Sequence, residues 1–298
     1  MTFLVDAHVH IFQSKEVGQW WKDAYDVWEY GEKSGVIESA LPGDLIDLQS
    51  SIDAAGYSHA IFLQMFSPQV ERERDGALET EMWTRFQRLN EWGCSLVEGD
   101  SRISALAAVD PSVGSPGQLA DAVCDLAARY SIKGIKLHPV LQRFQPNDER
   151  LYGVYEACQD LGLVVLSHGG ASHGTTELAA PSAFAPLLRR FPKLKLQLAH
   201  LGGGRWRETA SFAEEFSTVR FDLSEIIEWT GAPHAPTVIE LSALIRSIGP
   251  ERVLMGSDFP WYDLERTAAL VDGLPGLSRS DKDAIMGLNA AELFGLTC

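Results

Sequence analysis

A chain of 298 residues with 45% hydrophobic content has enough apolar mass for a substantial core, which excludes an intrinsically disordered chain. Its formal charge of -16 excludes sequence-independent nucleic-acid binding, which requires a basic face. No apolar run reaches the length of a bilayer and no early stretch reads as a secretory signal, so a cytoplasmic protein with reduced cysteines is expected, with no membrane partner.

Phe3-Leu4-Val5-Asp6-Ala7-His8-Val9-His10 opens the chain with the pattern of a buried strand. A strand alternates faces with period two, so His8 and His10 project to one side and Val9 to the other. Two neutral imidazoles aimed into one space suit a divalent transition metal, zinc above all; the alternative is two histidines satisfied by neighbouring hydrogen bonds. Residues 11–41 are neither plainly helical nor plainly extended and contain Trp20, Trp21, Tyr25, Trp28 and Tyr30. That stretch reads as an ordered, aromatic-rich insertion near the site, which either covers a substrate or packs its tryptophans on the body of the protein.

Strand and helix patterns then alternate. Pro42 to Gly56 reads as a helix and His59 to Gln64 as a strand, followed by a loop from Phe66 to Gly76 and a helix from Leu78 to Val97. Ile103 to Val109 is a strand, Leu119 to Tyr130 a helix, Ile132 to Leu137 a strand and Glu149 to Leu161 a helix. Strand Leu163 to Ser167 and helix Pro181 to Phe191 follow, then strand Leu194 to Ala199 and helix Trp206 to Phe216. Strand Thr218 to Leu223, helix Thr237 to Ile248 and strand Arg252 to Gly256 complete the series, and two helices close the chain. The strands are mostly continuous apolar runs, as expected of a parallel sheet buried on both faces. Strict alternation eight times over predicts an α/β fold of the (β/α)8 TIM-barrel type, with residues 1–298 forming a single domain. A doubly wound open sheet is the alternative, weakened because no Gly-x-Gly-x-x-Gly turn follows an early strand.

In such a barrel the reactive groups stand at the carboxyl ends of the strands. Strand one ends in His8 and His10, strand four in Lys136 and His138, strand five in His168, strand six in His200 and strand eight in Asp258. His59, His173 and His234 lie elsewhere. So many potential ligands on one rim predict a metal site. Asp6-Ala7-His8-Val9-His10, Gly134-Ile135-Lys136-Leu137-His138-Pro139, Ser167-His168, Leu198-Ala199-His200-Leu201-Gly202-Gly203 and Gly256-Ser257-Asp258-Phe259-Pro260 together resemble the amidohydrolase superfamily. More narrowly, they resemble its amidohydrolase-related branch of metal-dependent decarboxylases and lactone or C–C hydrolases. The resemblance implies that His8, His10, His168 and Asp258 hold one divalent metal and that His200 handles the proton of a metal-bound water. Asp258 would then be ligand and base together.

Lys136 has two readings. In binuclear relatives the lysine at this strand end is carboxylated and bridges two metals; here one ion is expected, with Lys136 and His138 binding a substrate carboxylate or phenolate. Arg205 and Trp206, after the glycine run, are expected at the mouth, and Trp261 and Tyr262 as a wall. His173 either reaches the site or faces solvent, and Asp222 either orients a ligand imidazole or caps the next helix. The overall expectation is a metal-dependent hydrolase acting on a small carboxylated or cyclic substrate. A non-oxidative decarboxylase is the second enzymatic reading, and a catalytically silent barrel that binds a ligand or partner is a third. Family analogy favours a homodimer or a higher homo-oligomer.

Overall fold

The computed structural model describes residues 3–25, 29–32, 35–170 and 177–297. Eight parallel strands lie side by side in chain order: β1 (Val5–Val9), β2 (His59–Leu63), β3 (Ile103–Ala108), β4 (Gly134–Leu137), β5 (Val164–Ser167), β6 (Lys195–Leu198), β7 (Arg220–Asp222) and β8 (Val253–Leu254). Just past β8 the chain turns back on β1 and completes the ring. Ala7 N donates to Met255 O at 2.9 Å, Asp258 N to His8 O at 2.9 Å and His10 N to Phe259 O at 2.7 Å. The expected single (β/α)8 barrel forms. Among the described residues no helix is long and apolar enough to cross a membrane.

The helices of the first half are α1 (Lys15–Ala24), α2 (Leu45–Ala55), α3 (Pro68–Asp75), α4 (Met82–Leu96), α5 (Pro116–Tyr130), α6 (Pro139–Gln142) and α7 (Tyr152–Leu161). Local chemistry sets their ends. Asp44 caps α2 by accepting from Asp47 N at 2.8 Å, and Gly56 ends it with φ of 70°. Ser115 and Gln118 form a reciprocal capping box at the start of α5. Three expectations change. The segment from Phe66 to Gly76, expected as a loop, contains α3, which starts on Ser67-Pro68 and stops at Gly76 with φ of 71°. Within residues 11–41, the stretch 15–24 is the helix α1, capped by Ser14; Trp28 lies outside the described residues. The expected helix of residues 206–216 is a 3-10 stretch that becomes α-helical only at Thr209–Glu215.

Apolar side chains form two layers. Between strands and helices lie Phe62, Ala107, Ile135, Leu137, Val165 and Leu196, among others. Inside the ring lie Ile61, Leu63, Leu106, Val164, Leu166 and Leu254, with Ala290 and Phe294 of the last helix closing the end where the strands begin. Ile61 and Leu166 are fully buried, and each such side chain contributes about 1.5–3 kcal/mol.

β1 does not keep one phase. It pairs with β2 as Val5–His59 and Asp6–Ala60, then as Val9–Phe62, so β1 spends one residue more than its partner. That bulge lets Val5 and Ala7 join the inner layer while Val9 joins the outer one, which brings His8 and His10 back to the inside. Asp6 pins the kink, its Oδ1 accepting from His8 N and Ser257 N, each at 3.0 Å. Gly256 completes it: a Cβ there would stand 2.8 Å from the Cβ of His8.

Candidate active site

The strand ends open into a cavity of about 310 Å³, within the usual range for small-molecule sites. His8, His10, Lys136, His138, His168, His200 and Asp258 all line it. Two hydrogen bonds fix the tautomers of the first pair. His10 Nδ1 lies 2.9 Å from Leu63 O, and His8 Nδ1 lies 3.1 Å from Asp222 Oδ2, so each Nδ1 donates and, in the neutral ring, the lone pair lies on Nε2. Both Nε2 atoms lie 3.2 Å from the same oxygen, Asp258 Oδ1.

That spacing tests the fit of a metal. Burial holds the His10 imidazole down to about 4, so it is neutral near pH 7 and offers Asp258 a lone pair rather than a proton. Two acceptors facing each other at 3.2 Å repel unless a cation lies between them. Ligand atoms about 2.0–2.2 Å from one ion in tetrahedral arrangement stand about 3.3–3.6 Å apart. His8, His10 and Asp258 therefore fit a divalent ion, and their donor atoms all lie within 4.8 Å of one another. Burial pushes the Asp258 carboxyl up, but His8, His10 and His200 outweigh it and hold the group well below the usual carboxylate range.

Behind this group lies a second layer of hydrogen bonds. Besides His8, Asp222 accepts from Gln197 Nε2 at 2.7 Å, from His200 N at 3.0 Å and from Ser224 N at 3.2 Å. Burial pushes the Asp222 carboxyl up, yet His8 keeps it lowered and charged. Asp222 thus orients an imidazole and caps no helix. His200 Nδ1 donates to Ser224 O at 2.9 Å, which leaves His200 Nε2 to accept from His168 Nδ1 at 3.1 Å. His168 in turn stacks on His138, ring centroids 4.0 Å apart at 10°. His138 Nδ1 accepts the Leu141 amide at 3.2 Å. Burial keeps the His138 ring neutral, so its Nε2 carries the proton.

His168 lines the same cavity, although no three-donor group among the described residues includes it. Lys136 Nζ lies 3.3 Å from His8 Nε2; burial pulls the ammonium down to about 8 against the opposing pull of Asp258, Asp222 and Glu225. Trp261 is a cavity wall, as expected, with Trp21, Tyr25, Met65 and Leu141. Tyr262 is not; it is buried and accepts from Trp229 Nε1 at 2.7 Å. Arg205 does not line the cavity either. The chain turns through His200, Leu201, Gly202 and Gly203 at positive φ, and Arg205 pairs with Glu208 at 2.6 Å. His173 lies outside the described residues.

Two charged lining residues, Glu225 and Arg143, lie outside every stretch singled out in the sequence. Glu225, three residues past Asp222 at the end of β7, is buried beside His200 Nδ1 at 3.5 Å, and burial with the negative charge of Glu29, Asp258 and Asp222 raises its carboxyl well above the ordinary range. Its strand-end position was the available signal. Gln69 and Arg143 come from α3 and the end of α6, where no strand-end rule points. Backbone conformation marks the site as well. Among the described residues six non-glycine positions have positive φ, and four of them, Arg143, His200, Glu225 and Asp258, line this cavity. Left-handed backbone costs such residues about 1–2 kcal/mol, a strain typical of functional sites.

Comparison with known proteins gives three findings. The family model described as amidohydrolase matches residues 5–296. A 2-amino-3-carboxymuconate-6-semialdehyde decarboxylase of Dictyostelium discoideum is 24% identical over 194 residues, 55% of this chain and 54% of that protein, so the chain spans about half the length of the relative it matches. Among solved structures, 5-carboxyvanillate decarboxylase from Sphingomonas paucimobilis superposes with a TM-score of 0.69 at 17% identity over 100% of both chains. A dihydroxybenzoic acid decarboxylase from a Polaromonas species, with bound manganese and the inhibitor 2-nitroresorcinol, superposes with a TM-score of 0.70 at 16% identity over 99% of this chain and 98% of that one.

Proposed function

The chain belongs to the amidohydrolase family, and we propose that within it this protein removes carbon dioxide from a small planar acid, aromatic or unsaturated, with the help of one bound divalent ion. One observation carries this reading: a buried ammonium, Lys136, stands 3.3 Å from His8 Nε2 in a cavity walled by Trp21, Tyr25, Met65, Leu141 and Trp261. Positive charge on that floor stabilises the oxygen next to the reacting carbon as charge grows there. The apolar walls strip water from the departing carboxylate, whose charge vanishes as it becomes carbon dioxide.

His8, His10, His168 and Asp258 would hold the ion, and their nitrogen-rich set suits zinc. When bound, the ion supplies Lewis acidity, which serves either the oxygens of an acid or a water molecule. Asp222 keeps the His8 lone pair forward, and Leu63 O does the same for His10. As the carbon–carbon bond breaks, its electron pair stays on the substrate and takes up a proton; we assign its delivery to His200 Nε2 with Asp258 beside it, Nε2 first taking that proton from solvent because the resting ring carries its own on Nδ1. Burial holds the His200 imidazole down to about 4, so once protonated it releases its proton readily. Hydrolysis of a lactone, amide or ester is the second reading, since the same donor set serves water activation.

The test loads the protein with zinc or manganese and assays carbon dioxide and acid release on dihydroxybenzoates, muconates and lactones. Carbon dioxide from at least one acid, lost about a thousandfold in Asp258→Asn, is the expected result. Acid release from a lactone without carbon dioxide would move the protein to the hydrolytic reading. One metal equivalent per chain is expected; two would make Lys136 a bridging ligand. A protein purified without metal whose activity survives Asp258→Asn would overturn both readings.

A further inference from the structure

Alternation at the end of β7 places Asp222 and Ser224 on one face of the chain and Leu223 on the other. Leu223 joins the layer between strands and helices, whereas Asp222 and Ser224 turn inward and are fully buried. Gly256, just past β8, leaves room for them. A Cβ there would stand 3.2 Å from the Cβ of Ser224 and 2.8 Å from that of His8. The Ser224 hydroxyl thereby meets three side chains at once. Its oxygen lies 3.0 Å from His8 Nδ1 and 2.9 Å from His200 Nδ1, and it is hydrogen-bonded to Asp222 Oδ1.

A hydroxyl has one proton and two lone pairs. Asp222 is charged and can only accept, so the Ser224 proton goes to Asp222 Oδ1. Both lone pairs then face imidazole nitrogens, and each Nδ1 must carry a hydrogen to avoid opposing acceptors. Other contacts require the same. His8 Nδ1 also donates to Asp222 Oδ2 at 3.1 Å, and His200 Nδ1 to Ser224 O at 2.9 Å. Each ring N–H is thus shared between two acceptors, and the hydroxyl oxygen is common to both. Asp222 reaches His200 through the backbone amide, at 3.0 Å, and Glu225 Oε2 stands farther out, 3.5 Å from His200 Nδ1. The link from ring to ring, across 5.1 Å between centroids, therefore belongs to Ser224.

We propose that Ser224 is a positioning residue for the reaction, one hydroxyl fixing the ring that would hold the ion, His8, against the ring that would deliver the proton, His200. This rests on the roles proposed above for the two histidines. Without the hydroxyl each ring N–H keeps one acceptor and Asp222 loses one donor, in a place sealed from solvent. The two rings then tilt independently. Ion binding and proton delivery both suffer, although Ser224 itself touches neither ion nor substrate.

Imidazole nitrogen–proton correlation NMR on histidine-labelled protein, with and without zinc, tests this. His10 Nδ1, which donates to Leu63 O, is the internal reference. In Ser224→Ala the Nδ1–H signals of His8 and His200 are expected to move together while that of His10 stays. Ser224→Cys fills the same space with a weakly hydrogen-bonding thiol and should resemble Ser224→Ala. In chelator competition both variants should bind zinc about tenfold more weakly. At saturating zinc kcat should fall about tenfold with KM within about twofold. A His8 or His200 signal that stays in place, or a shift of all three rings alike, would overturn the assignment. So would wild-type spectra in Ser224→Cys, which would leave only the filling of space, or a full return of kcat at saturating zinc. The two proposals fail separately. If no acid yields carbon dioxide, the spectra and zinc affinities still decide the role of Ser224, whereas carbon dioxide release with an unmoved His200 signal removes only that role.

Discussion

The carboxylate of Asp222 accepts from His8 Nδ1, Gln197 Nε2, the amides of His200 and Ser224, and the Ser224 hydroxyl. Its influence on the site follows from which proton it fixes. Because Oδ2 accepts from His8 Nδ1, the lone pair of that ring must lie on Nε2, the atom 3.2 Å from Asp258 Oδ1. Asp222→Asn can place an amide N–H where the oxygen was, and the ring then accepts at Nδ1 and carries its proton forward. We expect metal affinity to fall about 10–100-fold with the fold retained, measured by competition against a chromophoric chelator. Unchanged affinity would mean that the tautomer is set elsewhere. That His8, His10 and Asp258 share one cavity was legible in the sequence, because the strand ends of a barrel face one rim. Glu225 was not, since β7 is only three residues long and gives little pattern from which to count its end. Arg205 was misplaced for the opposite reason. Its neighbours in sequence point to the mouth, but four consecutive positive φ values turn the chain away before it is reached.

At the scale of elements, helices hold the strands in place partly through polar contacts that no apolar pattern reveals. Asn90, buried in α4, donates to Ala108 O at 3.0 Å and accepts from Ala108 N at 2.8 Å, serving both backbone groups at the end of β3. Asn90→Leu strands both, and we expect a loss of about 2–4 kcal/mol in urea unfolding, from about 1–3 kcal/mol for each buried unsatisfied group. A change below 0.5 kcal/mol would show that water reaches Ala108. The strands were readable as apolar runs between turn residues. α3 was not, because Glu71-Arg72-Glu73-Arg74 fills half of it with charge and leaves only Ser67-Pro68 and Gly76 as start and stop. The bulge in β1 was equally hidden. Alternation within Asp6-Ala7-His8-Val9-His10 looks perfect, and only the pairing with β2 shows that Ala7 and His8 both face inward.

For the whole molecule the ring closes where β8, two residues long, meets β1. The proposed ion would join the two sides directly, through His8 and His10 on one and Asp258 on the other. Free metal at a hundredfold excess over its dissociation constant adds about 2.7 kcal/mol to stability. Chelation should therefore lower the melting temperature by several degrees in scanning calorimetry, and readdition of zinc should restore it. A melting temperature indifferent to chelator would place the ion outside the fold. Closure of this seam also has a schedule. His8 leaves the ribosome 250 residues before Asp258 does. At about 5–20 residues per second that gap lasts about 12–50 s. For that time β1 has β2 on one flank and nothing on the other, and its two histidines wait without their carboxylate. The proposed metal pocket is therefore among the last features to be completed during synthesis.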